Sequence, residues 1–185
     1  MRILLLGDLH ERLSLPYEAS FSDGRRLEWS AIKQTIIKSA QDCDSVILLG
    51  DNLHMRNNPS VVLRDFVEFL NGLGDKPVHI LCGNHEVSGR GTALDFLKEL
   101  NHLNWHVYTD VQTIESNGLK MTFMPYMTPA NLGVKDNVEA IKRLLALAIG
   151  GDILFLHHTI AGSLWTGDSV EHLNEPVLPR EELEE

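Results

Sequence analysis

Four times along the chain a short apolar run stops at a polar side chain of a type that can bind metal, in three of the four after an intervening glycine. The segments are RILLLGDLH at 2–10, VILLGDNLH at 46–54, VHILCGNHE at 78–86 and DILFLHH at 152–158. Apolar runs of this length, bounded in this way, read as buried strands. Strands are therefore expected at 2–6, 45–49, 78–82 and 153–156. Between them the spacing changes from strand-like to helical. Leu27, Trp29, Ile32, Ile36, Ile37 and Ala40 recur at helical intervals from Arg26 to about Gln41. A second helix from Ser60 to about Leu70 carries Val61, Val62, Leu63, Phe66, Val67, Phe69 and Leu70, an apolar surface wider than one amphipathic face. Ala93, Leu94, Phe96, Leu97 and Leu100 predict a third.

Further on, 105–108, 112–115 and 119–124 read as short strands. Asn117-Gly118 is a strong hairpin signal between the last two. Asp136 or Asn137 can cap a helix that runs to Ile149. Loops are expected at 11–25, 88–92, 125–133 and 162–179, and the final EELEE can start a helix. Strands alternating with helices predict an α/β fold. The length of 185 residues suits one domain, and no linker divides the chain.

Composition narrows the picture only a little. The chain is 43% hydrophobic and 23% charged, as in an ordinary globular protein. No apolar run approaches the ~20 residues of a membrane span, and the N-terminal run is too short for a signal peptide. Cys43 and Cys82 form no pattern, so a reducing cytoplasm is the expected location. The net charge of −10 argues against holding nucleic acid by charge alone. It leaves room for a site whose own cations meet phosphate.

The candidate chemistry lies at the strand ends, with Asp8, His10, Asp51, Asn84, His85 and His157. Side chains just past the carboxyl ends of strands stand where open α/β sheets place their ligands. Carboxylate oxygen with imidazole nitrogen suits Mn²⁺, Fe or Zn²⁺. One carboxylate can bridge two cations, and a pair ~3.5–4 Å apart is an arrangement used for phosphate-ester cleavage. The Asn84 amide oxygen can coordinate, and His85 can act on a leaving group instead of a metal. Any one of these residues alone is more often a turn or a helix cap; the fourfold repetition carries the reading. Arg56 and Arg90 lie in loops beside the motifs and can hold phosphate or face solvent. His79, His102, His106 and His172 have no partner motif and read as structural or surface residues.

The series DxH, GDxxH, GNHE and a later strand-end His, in this order, resembles the calcineurin-like metallophosphoesterase superfamily across nearly the whole chain. The resemblance implies a four-layer αββα sandwich with two divalent ions, Mn²⁺ first among the candidates. It implies that Asp8, His10 and Asp51 hold one ion and that Asp51, Asn84 and His157 hold the other. It gives His85 a role on the leaving oxygen, with Glu86 orienting it. GDNLHMRNNPSVVLRDFVEFLNGL followed by PVHILCGNHE is similar, more narrowly, to the nuclease subunit of the SbcCD-type double-strand-break repair complex. That likeness implies a DNA substrate, with His54 helping to position the DNA end. It also implies an SbcC-type ATPase partner and a homodimer through helices 60–70 and 93–100. The superfamily closes its site with a GHxH motif, which this sequence lacks. The expectation is a domain cut short before its last metal ligands; substitution by His158 or His172 is the disfavoured alternative. A small-molecule or nucleotide phosphoesterase, or a non-catalytic scaffold on this fold, are the rival readings.

Overall fold

The computed structural model describes residues 1–12, 24–88, 91–165, 168–169 and 175–183. The chain divides into two compact units, 1–107 and 108–185.

The first unit is built on a sheet of four strands in the order β1-β2-β3-β6: β1 (Ile3–Leu6), β2 (Ser45–Leu48), β3 (Val78–Leu81) and β6 (Trp105–Tyr108). β1 is parallel to β2, with Leu6 opposite Leu48. β2 is parallel to β3, with Leu48 opposite Ile80. All residues of β2 and β3 are buried. This explains why their sequences, Ser45 and His79 apart, are apolar and do not alternate. Because the three strands point the same way, the polar residues that follow them come out at one edge.

Helix α1 (Gly24–Ala40) begins two residues earlier than expected, and most of the loop predicted at 11–25 falls outside the described residues. Helix α2 (Ser60–Gly72) buries Val62, Phe66, Phe69 and Leu70, at helical spacing. Val61, Leu63 and Val67 are half-buried against the same core, which accounts for the unusual apolar width. Ala40, Ile36 and Ile37 of α1 pack there too, and Trp29 is buried, whereas Ile32 is exposed. The segment expected as a loop at 88–92 is instead an antiparallel pairing of β4 (Val87–Ser88) with β5 (Gly91–Thr92). Helix α3 is a short Asp95–Glu99.

The second unit carries a three-stranded sheet of β7 (Gln112–Ser116), β8 (Leu119–Met124) and β9 (Ile153–Leu156). Asn117 and Gly118 turn the β7–β8 hairpin with φ of 51° and 76°. Two consecutive positive values are what a tight primed turn needs. A four-residue helix α4 (Pro129–Leu132) replaces the expected irregular stretch. The Thr128 side chain accepts from the Asn131 N–H, and the Asn131 side chain accepts from the Thr128 N–H. Asp136, not Asn137, caps helix α5 (Asn137–Ala148) by accepting from the Glu139 N–H. Met124, Met127, Leu132, Ala140, Leu144 and Leu178 form this unit's core. In the segment expected as a loop at 162–179, β11 (Leu164–Trp165) pairs with β12 (Asp168–Ser169), and β13 (Val177–Leu178) pairs with β10 (Thr159–Ile160), which precedes it. The C-terminal turn is a 3-10 helix, Glu181–Leu183. No helix among the described residues is long and apolar enough to cross a membrane.

Candidate metal centre

The site of the first unit is made by the three segments that leave β1, β2 and β3. Beyond the strands the first two continue side by side. Asp8 N–H donates to Gly50 O at 3.2 Å, His10 N–H to Asp51 O at 2.8 Å and Glu11 N–H to Asn52 O at 2.9 Å. This ladder keeps Asp8 and His10 level with Asp51. All three residues have positive φ (54°, 47° and 50°). Such torsions are uncommon outside glycine and cluster at functional sites.

Asp51 is 4% exposed and lies at the centre. Its Oδ1 accepts the His85 backbone N–H at 2.9 Å. Its Oδ2 is 3.8 Å from Nε2 of both His10 and His85. His10 Nε2 is also 3.8 Å from the exposed Asp8 Oδ1. Gly83 of the third segment touches Asp51 closely: a Cβ there would meet Asp51 N and Oδ1 at 2.2 Å. The glycine of GNHE is therefore required by close approach of the two segments.

The segments after β2 and β3 are joined by Glu86, which is fully buried. Its Oε1 accepts N–H groups from Asn52 (2.6 Å) and Leu53 (2.9 Å), and its Oε2 from Gly83 (2.6 Å) and Asp51 (3.2 Å). Burial pushes this carboxyl up, and the backbone donors, Gly83 and Leu53 foremost, work against that. A proton on either oxygen would face two N–H groups. Glu86, expected to orient His85, thus fixes the backbone that carries Asp51.

Three imidazoles surround Asp51. Nitrogens of His10, His54 and His85 lie within 4.8 Å of one another. His85 Nδ1 donates to the His54 carbonyl at 2.9 Å, because a carbonyl can only accept. Its Nε2 is left to face the centre. His54 Nε2 accepts from Arg12 Nη1 at 3.0 Å, and its Nδ1 is 3.5 Å from His10 Nδ1. Burial lowers the pKa of His10 and of His54, helped at His54 by the Arg12 guanidinium. Both imidazoles are thereby held toward the neutral form, the one that binds metal. His54, Met55, Arg56, Asn57, Asn84 and His85 line an open cleft of about 520 Å³. Two carboxylates with neutral imidazoles, one carboxylate buried, form a donor set that fits a divalent cation of the Mn²⁺, Fe or Zn²⁺ type.

His157 belongs to the second unit, directly after β9, where its N–H donates to Met124 O at 3.0 Å. His158 is engaged elsewhere. Its Nε2 lies 3.1 Å from Pro125 O and 3.3 Å from Met127 N, its ring stacks on Tyr126, and burial pushes its pKa down to about 4. Arg90 and His172 lie outside the described residues. His79 stacks on His106 and His102 on Trp105, in keeping with structural roles. Arg12 escaped the sequence reading, since it follows DLH without belonging to any motif. The only available signal was a cation two residues past a candidate ligand.

A profile of the calcineurin-like phosphoesterase family matches residues 1–183. Among solved structures the chain is similar to a protein of unknown function from Aquifex aeolicus. The identity is 15% and the TM-score 0.43, with 96% of this chain and 87% of that one covered. It is also similar to a novel archaeal phosphodiesterase at 18% identity and a TM-score of 0.46, over 97% of this chain and 81% of that one.

Proposed function

The chain belongs to the calcineurin-like phosphoesterase family, and from that premise we propose that it is a phosphodiesterase working with two divalent ions, Mn²⁺ first among them. The observation that carries the reading is buried Asp51, flanked at 3.8 Å by His10 and His85 at the ends of adjacent parallel strands. Asp8, His10 and Asp51 would hold one ion. The family resemblance gives the other ion to Asp51, Asn84 and His157. When bound, such ions polarise a phosphoryl group and lower the pKa of attacking water.

The chain's own groups do the rest. Asp51 is held by Glu86 from behind and by the His85 N–H in front, so its carboxylate is oriented before any ligand arrives. His85, with Nδ1 tied to the His54 carbonyl, turns Nε2 to the centre and in its protonated form can donate to the leaving oxygen. Arg56, exposed on the wall of the cleft, meets a further phosphate of the substrate.

The finer reading is a DNA nuclease similar to the SbcCD-type subunit, with an ATPase partner and a homodimer through α2 and α3. It rests on the GDNLHMRNNPSVVLRDF and GNHE segments. The net charge of −10 favours a second reading, a phosphoesterase for nucleotides or other small esters, because a DNA track needs cations. Mn²⁺-dependent cleavage of linear DNA, compared with that of cyclic and mononucleotides, separates the two. His85→Ala should abolish whichever activity appears; full turnover in that variant would remove His85 from the mechanism.

A further inference from the structure

We propose that Lys33 is a positioning residue for this centre: through Glu11 it fixes the loop that carries His10 and holds the backbone of His54. The consequence for metal binding rests on the phosphoesterase reading, whereas the geometry does not. Glu11 directly follows the DLH motif and is 3% exposed. Lys33 reaches it from α1, with Nζ 2.6 Å from Glu11 Oε1. The same ammonium donates to Asp65 O of α2 at 3.2 Å and lies 5.9 Å from the centre of the Trp29 ring. Lys33 is therefore anchored on two helices before it meets the loop.

Glu11 is joined to the site in both directions through its backbone. Its N–H donates to Asn52 O at 2.9 Å, and its carbonyl accepts the His54 N–H at 3.2 Å. Glu11 and Leu53 form an isolated parallel bridge at this point. The preceding residue, His10, sits at a φ of 47°. A torsion of that kind persists only where the surroundings over-determine it. The ion pair and the two backbone bonds at Glu11 provide that determination on one side, as the His10 N–H bond to Asp51 O does on the other.

Without Lys33 the buried Glu11 carboxylate, 3% exposed, loses the one ion-pair partner that reaches it at 2.6 Å from α1, and the loop loses that anchor. A buried ion pair adds little net stability over an apolar pair of similar shape, and its best-attested use is to set register. Here the register in question is that of His10 and His54 against Asp51.

The test compares wild type, Lys33→Met and Lys33→Arg in two measurements. Amide exchange of the metal-free protein follows Glu11 and His54, with Leu48 and Ile80 in the strands as internal reference. Calorimetry then measures Mn²⁺ affinity. Lys33→Met should speed exchange at Glu11 and His54 by about tenfold or more, leave Leu48 and Ile80 unchanged, and weaken Mn²⁺ binding by about tenfold. Lys33→Arg should restore both. Unchanged protection at Glu11 and His54 would overturn the proposal, as would equal losses at Leu48 and Ile80, which mark general destabilisation. If Lys33→Met does not fold, Glu11→Gln, neutral and free of the need for a counter-charge, should speed the same two amides severalfold; no change there also overturns it. A wild type that binds no Mn²⁺ would refute the phosphoesterase reading, and amide exchange would still decide the role of Lys33.

Discussion

Glu86→Gln changes one atom and tests how the centre is held. Each Glu86 oxygen accepts two backbone N–H groups, from Asn52 and Leu53 on one side and Gly83 and Asp51 on the other. Whichever oxygen becomes an amide NH₂, two N–H donors lose their acceptor and face another donor. Hydrogen bonds to a charged group contribute about 1.5–3 kcal/mol each, so two losses come to about 3–6 kcal/mol. A neutral amide is cheaper to bury than a carboxylate, which returns part of this. A net cost of about 2–4 kcal/mol is large against a total stability of about 5–15 kcal/mol. For a chain of this size it corresponds to a fall in Tm on the order of 5–15 °C. Thermal and urea unfolding of the metal-free protein measure the change. Amide exchange should show the loss centred on Asp51, Asn52 and Leu53. A shift below about 2 °C, with those amides still protected, would mean that the carboxylate does not hold the segment and that the argument for its role is wrong.

Two further perturbations probe the same architecture. Gly83→Ala places a Cβ 2.2 Å from Asp51 N and Oδ1; overpacking of this kind costs about 1–3 kcal/mol. Because Asp51 is what must move, Mn²⁺ titration should show a greater loss than unfolding does, and an alanine variant that binds Mn²⁺ like wild type would contradict the close approach. Acid should weaken the fold through His79, which burial, with His106 nearby, pushes down to about 4. The unfolded chain binds this proton near 6.5 and the folded one near 4, so stability is full above 6.5 and falls as pH drops toward 4. The loss reaches about 2 kcal/mol at pH 5, and His79→Phe should flatten the profile of urea midpoint against pH; an unchanged slope would sink the assignment.

The strands were legible because their physics is local. β2 and β3 are buried throughout, so apart from Ser45 and His79 their positions are apolar, and the glycine after each run marked its end. The ligand candidates followed from what came next. The missed features have partners too far away or too featureless to read. Helix α4 is too short for periodicity, and its cap uses Asn131 where a longer acid or amide is the usual sign. The resemblance gave Glu86 a role beside His85; its partners in the structure are backbone N–H groups, which leave no trace in side-chain identity. Lys33 meets Glu11 across 22 residues of sequence, much of it outside the described residues.

The torsions at the strand ends add what the motif spacing did not contain. Among the described residues, five non-glycine positions have positive φ, and three of them are Asp8, His10 and Asp51. Glycine adopts such torsions at the least cost, and aspartate tolerates them better than most. A sequence under pressure only to make these turns would favour glycine or asparagine, as the β7–β8 hairpin does with Asn117-Gly118. Carboxylate and imidazole stand there instead, in a ladder whose backbone bonds keep them level. The side chains, not the turns, are therefore what these positions are for. The buried supports, Glu86 against the N–H groups and Lys33 against Glu11, maintain a backbone that the local sequence would not choose by itself.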